Sequence, residues 1–272
     1  MNSLLLLLAL AAAAPQRVAS MNLSADEVLV EIAPERLVSV TRFVDEAGTG
    51  NVVGRVPASV ARIHKADMEQ LVALRPDLVV VSEYTDADFM KQLERSGMRV
   101  HRMQGLASLA GIRTAILDLG RAVGALPAAE KLVARYDATL ADVAKRTAGV
   151  KRPRVLYWSG SMTAGADTAL GALIECGGGA NVGREMGLSG IVPPGSERAF
   201  ASDPDAFLVG TWPRSVEALK EDPLMSQMRA VRANRIVVVP SPLLVALSQF
   251  SADACRALAE RLHPDRFPPA RP

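Results

Sequence analysis

Glu69-Gln70-Leu71-Val72-Ala73-Leu74-Arg75-Pro76-Asp77-Leu78-Val79-Val80-Val81 decides the fold of this 272-residue chain. A short helix over about 67–74 is stopped by Arg75-Pro76-Asp77, because proline cannot continue a helix and drives its predecessor out of helical geometry. Four consecutive apolar residues then read as a buried strand. The same order returns further along. Glu197 lies seven residues before Pro204, as Glu69 does before Pro76, and each proline is followed by Asp and an apolar strand, Leu78–Val81 and Ala206–Val209. One such match is chance; its recurrence at equivalent places in two α/β units is a repeat.

Reading outward, the first unit opens with a strand over Arg17 to Asn22, and Ser24 or Asn22 is placed to cap a helix carrying Val28, Leu29 and Ile32. Leu37–Val40 is a second strand, followed by a charged, glycine-rich loop through Gly54. A helix over about 86–96, a turn at Gly97 and a strand over Met98–His101 follow Val81. The second unit restarts after Arg152-Pro153 with the strand Arg154–Trp158. A helix over about 168–175 ends in Cys176-Gly177-Gly178-Gly179. The strand Ala206–Val209, a helix with Val216 and Leu219, the strand Arg235–Val239 and a helix over about 251–262 complete it. Alternation of this kind predicts an α/β fold with mainly parallel sheets in two lobes. Between the lobes, Pro127 opens a helix to Thr147 with Leu132, Val133, Tyr136, Leu140 and Val143 at helical spacing. Some twenty residues span about 30 Å, so this single stiff helix joins the lobes and predicts modest lobe motion. The lobes are expected at 15–126 and 151–267, the helix at 127–150 and a tail at 268–272.

Composition removes several function classes. The net charge is +2 with no block of like charge, and aromatics make up 4%, so neither the electrostatic nor the stacking signature of a nucleic-acid binder is present. Three His and two Cys, unclustered, do not make a protein-ligated zinc site. The Gly177–Gly179 run with Gly183 misses the dinucleotide fingerprint, since Val182 holds its last position, and reads as a helix stop. Ser189 lacks nucleophile-elbow spacing, and His101 and His263 have no evident acidic partner. The enzyme alternative is a hydrolase built from scattered residues.

Leu4 to Ala14 is an apolar run of eleven, too short to span a bilayer of about 30 Å. It fits a secretory leader, with Ala9, Ala11 and Ala13 suited to cleavage. No Lys or Arg precedes it and Pro15 follows it, so a buried first helix or a start at Met21 stays open; the later start would delete Arg17–Ser20, the front of a strand. The expectation taken forward is a leader over 1–14 and a soluble periplasmic product without a lipid-attachment cysteine.

The strand at Arg17–Asn22, the Glu69–Val81 segment, the crossing helix and Thr163-Ala164-Gly165 through Asn181-Val182 together resemble the class III periplasmic substrate-binding proteins of ABC importers. These serve cobalamin, iron-siderophores and haem, and the chain is most similar to the cobalamin binders. The resemblance implies two Rossmann-like lobes, a ligand cleft at the strand ends between them, no catalysis, no resident cofactor and a monomer that delivers a metal chelate to a permease dimer. Carried over by position, the ligand set is Phe43, Ile63 and Ser82 (the last two usually tryptophan), Tyr84 as a replacement stacking surface, Trp158, Ser159, Met162 and Leu243 in the loop Ser241–Leu244. The favoured ligand is a corrinoid, with ferric siderophore or haem as alternatives; a metal-chelate enzyme on the same scaffold is the alternative of another class. The resemblance also implies permease docking through Glu69 and Glu197 and a Cys176–Cys255 disulfide, against two independent buried thiols. Phe43, Tyr84 and Trp158 have packing as their alternative reading, His64 is a metal imidazole or a surface histidine, and Arg42 and Arg55 are partners of acidic ligand groups or solvated loop positions.

Overall fold

A computed structural model describes residues 13–160 and 162–268. The expected leader falls outside them except for Ala13 and Ala14, as does the tail beyond Pro268. The first lobe runs β1 (Val18–Ser20), α1 (Leu23–Ile32), β2 (Leu37–Thr41), β3 (Ala61–Ile63), α2 (Met68–Ala73), β4 (Leu78–Ser82), α3 (Ala87–Ser96), β5 (Val100–Met103) and α4 (Leu109–Ala122). After α5 (Leu126–Arg146), the second lobe runs β6 (Arg154–Tyr157), β7 (Thr163–Ala164), α6 (Ala169–Cys176), β8 (Ala180–Asn181), α7 (Val182–Glu185), β9 (Ile191–Val192) and α8 (Ser196–Ala201). It closes with β10 (Ala206–Gly210), α9 (Ser215–Glu221), α10 (Arg229–Arg232), β11 (Ile236–Val239), α11 (Ser241–Leu244) and α12 (Phe250–Leu262).

The first sheet is parallel in the order β3-β2-β1-β4-β5, the second parallel in the order β11-β10-β6-β8, and β7 pairs antiparallel with β9. In each lobe the chain first adds a strand on one side of the opening strand and then crosses to the other. That reversal leaves a crevice at the carboxyl ends of β1 and β4, and of β6 and β10.

The repeat is closer than its prolines suggest. Helix α2 and strand β4 have the same bounds as α8 and β10 displaced by 128 positions, and α3 and α9 also begin 128 apart. Arg75 and Asp203, one residue before each proline, both take left-handed backbone (φ 45° and 38°). The amide of Arg17 donates to Asp77 Oδ1 and that of Arg154 to Asp205 Oδ2, each at 2.9 Å. Their guanidinium groups then reach repeat-equivalent carbonyls, Arg17 to Leu74 (2.7 Å) and Arg154 to Ser202 (2.9 Å). Each Pro-Asp stop is therefore stapled to the arginine that opens the central strand of its own sheet.

The short second-lobe elements β7, β8, α7, β9 and α10 are too brief to show a period, and the expected loop Ser241–Leu244 is the one-turn helix α11. In the first lobe two further elements escaped the sequence. Strand β3 is a three-residue edge behind the glycine-rich loop, too short to show a period. Helix α4 is capped by the Ser108 hydroxyl and buries Ile112, Ala115, Ile116 and Leu119 at helical spacing. It lies close against α5: a Cβ on Gly120 would stand 2.3 Å from that of Ala129, so only glycine permits this approach. Strand β5 begins at Val100 rather than Met98, because Gly97 in left-handed backbone ends α3 and the chain needs two residues to turn. The long helix is present with Pro127 in its first turn. Its Tyr136 hydroxyl meets the Leu109 carbonyl (3.0 Å) and the Ser251 hydroxyl (3.2 Å), and burial pushes the phenol up to about 12.

Cys176, ending α6, and Cys255, in α12, are joined in a disulfide with Cα atoms 5.7 Å apart. Val143 of α5 and Leu173 of α6 pack around it. The glycines after Cys176 end the helix as expected, and His263 Nε2 lies 3.2 Å from the Gly178 carbonyl, which accounts for that histidine structurally.

Candidate ligand-binding cleft

Three neighbouring cavities follow the carboxyl ends of the strands. The first, about 270 Å³, is lined by Asn22, Thr41, Phe43, Ile63, His64, Ser82 and Tyr84 of the first lobe. The second, about 330 Å³, lies between the lobes: Tyr84 faces Thr168, Leu170, Ile191, Leu244 and Val245. The third, about 500 Å³, is bounded by Tyr157, Ser159, Trp212, Arg214 and Val245. Tyr84 borders the first two and Val245 the last two, so the three form one trough.

Each expected residue has a definite place. Tyr84 is 62% exposed at the junction of the lobes. Burial and the Glu83 carboxylate both raise its phenol pKa. Ser82 is buried, and its hydroxyl accepts from the Tyr84 amide (3.3 Å) while its own amide donates to Thr85 Oγ1 (3.1 Å). It shapes the turn that presents Tyr84. Phe43 is half-buried, with the Arg42 guanidinium 4.8 Å over its ring, and Arg42 pairs with Glu46. Arg55 pairs with Glu31 at 3.5 Å. Ile63 is a buried wall residue, and His64 is exposed at the rim.

Trp158 is a correction. It is 3% exposed, with its ring edge-on to Phe207 at 6.5 Å, in the second-lobe core. Its amide donates to Leu208 at 2.9 Å, extending the strand, so side chains alternate and Tyr157 rather than Trp158 reaches the trough. Met162, whose carbonyl accepts from the Ser159 amide, borders none of the three cavities. Leu243 also stands away from them and packs on the second-lobe core, while Leu244 and Val245 take the lining positions.

Trp212 was missed. It lies eight residues after Pro204, as Tyr84 lies eight after Pro76, so the repeat itself carried the signal. Its indole folds over Gly210, where a Cβ would stand 2.3 Å from the ring.

Glu69 and Glu197 are the second residues of α2 and α8, both exposed, and neither forms an ion pair among the described residues. Among the described residues no group of three or more His, Cys, Asp or Glu converges as a metal site, and no helix is long and apolar enough to cross a membrane.

Two parallel-sheet lobes, one crossing helix and a partly apolar trough between the lobes define a two-lobe α/β binding protein. The chain belongs to the family described as "Periplasmic binding protein", which matches residues 18–243, and that family binds substrates rather than converting them. A cobalamin-binding protein of Halobacterium salinarum is 30% identical over 202 residues, covering 72% of this chain and 54% of the relative. The chain thus spans about half the length of that curated relative. Among solved structures, a periplasmic haem-binding protein of Pseudomonas aeruginosa is 26% identical, with TM-score 0.77 over 92% of this chain and 93% of its own. A molybdate-binding protein, MolA of Haemophilus influenzae, superposes with TM-score 0.80 at 19% identity over 93% of this chain and 87% of its own, a likeness of fold.

Proposed function

We propose that this chain is an extracytoplasmic capture protein that holds a metal chelate, a corrinoid foremost, between its lobes and delivers it to the permease dimer of an ABC importer. The observation that carries the reading is the interlobe cavity, where Tyr84 of one lobe faces apolar side chains of the other. Rigid aromatic and aliphatic walls hold a large, partly apolar chelate at low entropic cost. The cobalamin-binding relative supports the corrinoid. The haem-binding structural neighbour supports haem as the second reading.

On this proposal the chelate is cargo and the protein needs no resident cofactor. The chain is exported and works as a monomer. Phe43, Ser159, Tyr84 and the walls around them contact the ligand, while Glu69 and Glu197 face the two permease subunits. The test is titration of the purified protein with cobalamin, cobinamide, haemin and ferric siderophores, followed by absorbance. Binding of one class below about 10 μM, roughly −7 kcal/mol, supports the reading; no binding in that range removes it.

A further inference from the structure

We infer that Tyr84 and Trp212 are a repeat-related pair of aromatic walls, one per lobe, that selects a broad flat chelate and excludes small oxyanions and bare metal ions. The inference rests on the capture reading above and names what sets its size class. Tyr84 and Trp212 stand 128 positions apart, the displacement that relates β4 to β10 and α3 to α9, and each is the second residue past its strand. Both therefore occupy the crevice that the strand order opens in their own lobe.

Tyr84 stands out from its lobe, whereas Trp212 is half-buried with one side packed on the second-lobe core. Gly210 leaves the space in which the Trp212 indole lies, and that packing on the second-lobe core restricts the ring's rotation. The Ser82 hydroxyl and the Thr85 side chain fix the turn beneath Tyr84. Between the two aromatics, Ile191 and Val245 are 45% and 38% exposed and line the same trough. Apolar groups exposed along a trough lose contact with water only when an occupant covers them.

That lining suits neither alternative cargo. A bare cation requires converging carboxylates or imidazoles, and none converge among the described residues. A small oxyanion fills one cavity and gains nothing from two aromatic faces in adjoining ones. A conjugated macrocycle has the extent to touch both lobes and the face to lie on either ring.

The test uses the full chain with cobalamin, cobinamide, haemin and molybdate as probes. Trp212→Ala and Tyr84→Ala are each expected to weaken the macrocycle that the wild type binds by about tenfold or more, and Trp212→Phe by less than about threefold. Circular dichroism of the unliganded variants should match the wild type at room temperature, with a lower melting temperature for Trp212→Ala because that ring packs on the second-lobe core. Hydroxyl-radical footprinting of the wild type should show Tyr84 and Trp212 protected by that macrocycle, with Trp158 unreactive throughout. If a macrocycle binds but Trp212→Ala retains full affinity and Trp212 stays unprotected, the pair is overturned and the capture reading stands. Binding of molybdate overturns the size selection. If no chelate binds, the capture reading fails and the pair falls with it.

Discussion

The Ser248 hydroxyl of the second lobe donates to the Glu27 carboxylate of α1 in the first. Asn51 donates to the same carboxylate through its amide (3.1 Å) and side chain (2.8 Å), and its side chain also reaches the Pro242 carbonyl across the seam (2.9 Å). The lobes are therefore joined by polar bonds as well as by α5. Ser248→Ala leaves a buried carboxylate one donor short, a loss of about 2 kcal/mol. Urea unfolding should show that loss, and an unchanged midpoint would mean the seam contributes nothing.

Beside it, Asp26 is fully buried and accepts from the Thr41 amide at 3.0 Å. Burial pushes its carboxyl up to about 7, and Glu27 is raised for the same reason. A carboxyl with a higher pKa folded than unfolded holds its proton more tightly in the native state. Its stabilisation is complete below the ordinary value of 3.8 and is lost as pH rises through about 7. Unfolding stability should fall between about pH 4 and pH 7 and level off above, by at most roughly 4 kcal/mol from Asp26. Asp26→Asn should remove most of that slope, and a slope as steep as the wild type's in the variant rules Asp26 out as its source.

The Cys176–Cys255 bridge closes 79 residues. By chain entropy it contributes about 4 kcal/mol. Cys176→Ser with Cys255→Ser should lower the melting temperature by several degrees while binding at room temperature survives. The intact oxidised protein should weigh two hydrogens less than the reduced one; equal masses would show two free thiols.

Exposed ion pairs yield only about 0.2–1 kcal/mol each, so in the proposed docking role Glu69 and Glu197 would act on orientation and encounter more than on affinity. Glu69→Lys with Glu197→Lys should leave chelate affinity within about twofold while uptake through the cognate importer collapses. Normal uptake by the folded double variant refutes docking; lost chelate binding moves both residues into the cleft.

Much of this fold is legible in the chain because proline, aspartate and apolar runs act locally. Pro76 and Pro204 mark strand starts, Asn22, Asp67 and Asp86 cap helices within three residues, and Pro127 opens α5. The site is legible only where the repeat reaches it. Tyr84 is reached through the resemblance, two residues past Ser82, and its distance of eight from Pro76, counted again from Pro204, reaches Trp212. Trp158 misleads because a one-residue shift along a strand exchanges core for cleft, and nothing in Tyr157-Trp158 says which ring turns inward. The Glu27–Ser248 contact joins residues 221 positions apart and leaves no local trace.

Helix α12 has a consequence for the order of events during synthesis. Ala252 completes the core of the first lobe, Ser251 meets Tyr136 of the crossing helix, and Cys255 bonds α6 of the second. Both halves thus wait on the same thirteen residues near the end of the chain. A polypeptide emerging from its N-terminus stays short of final packing, and open to unfoldases or a translocation channel, until that last helix is released.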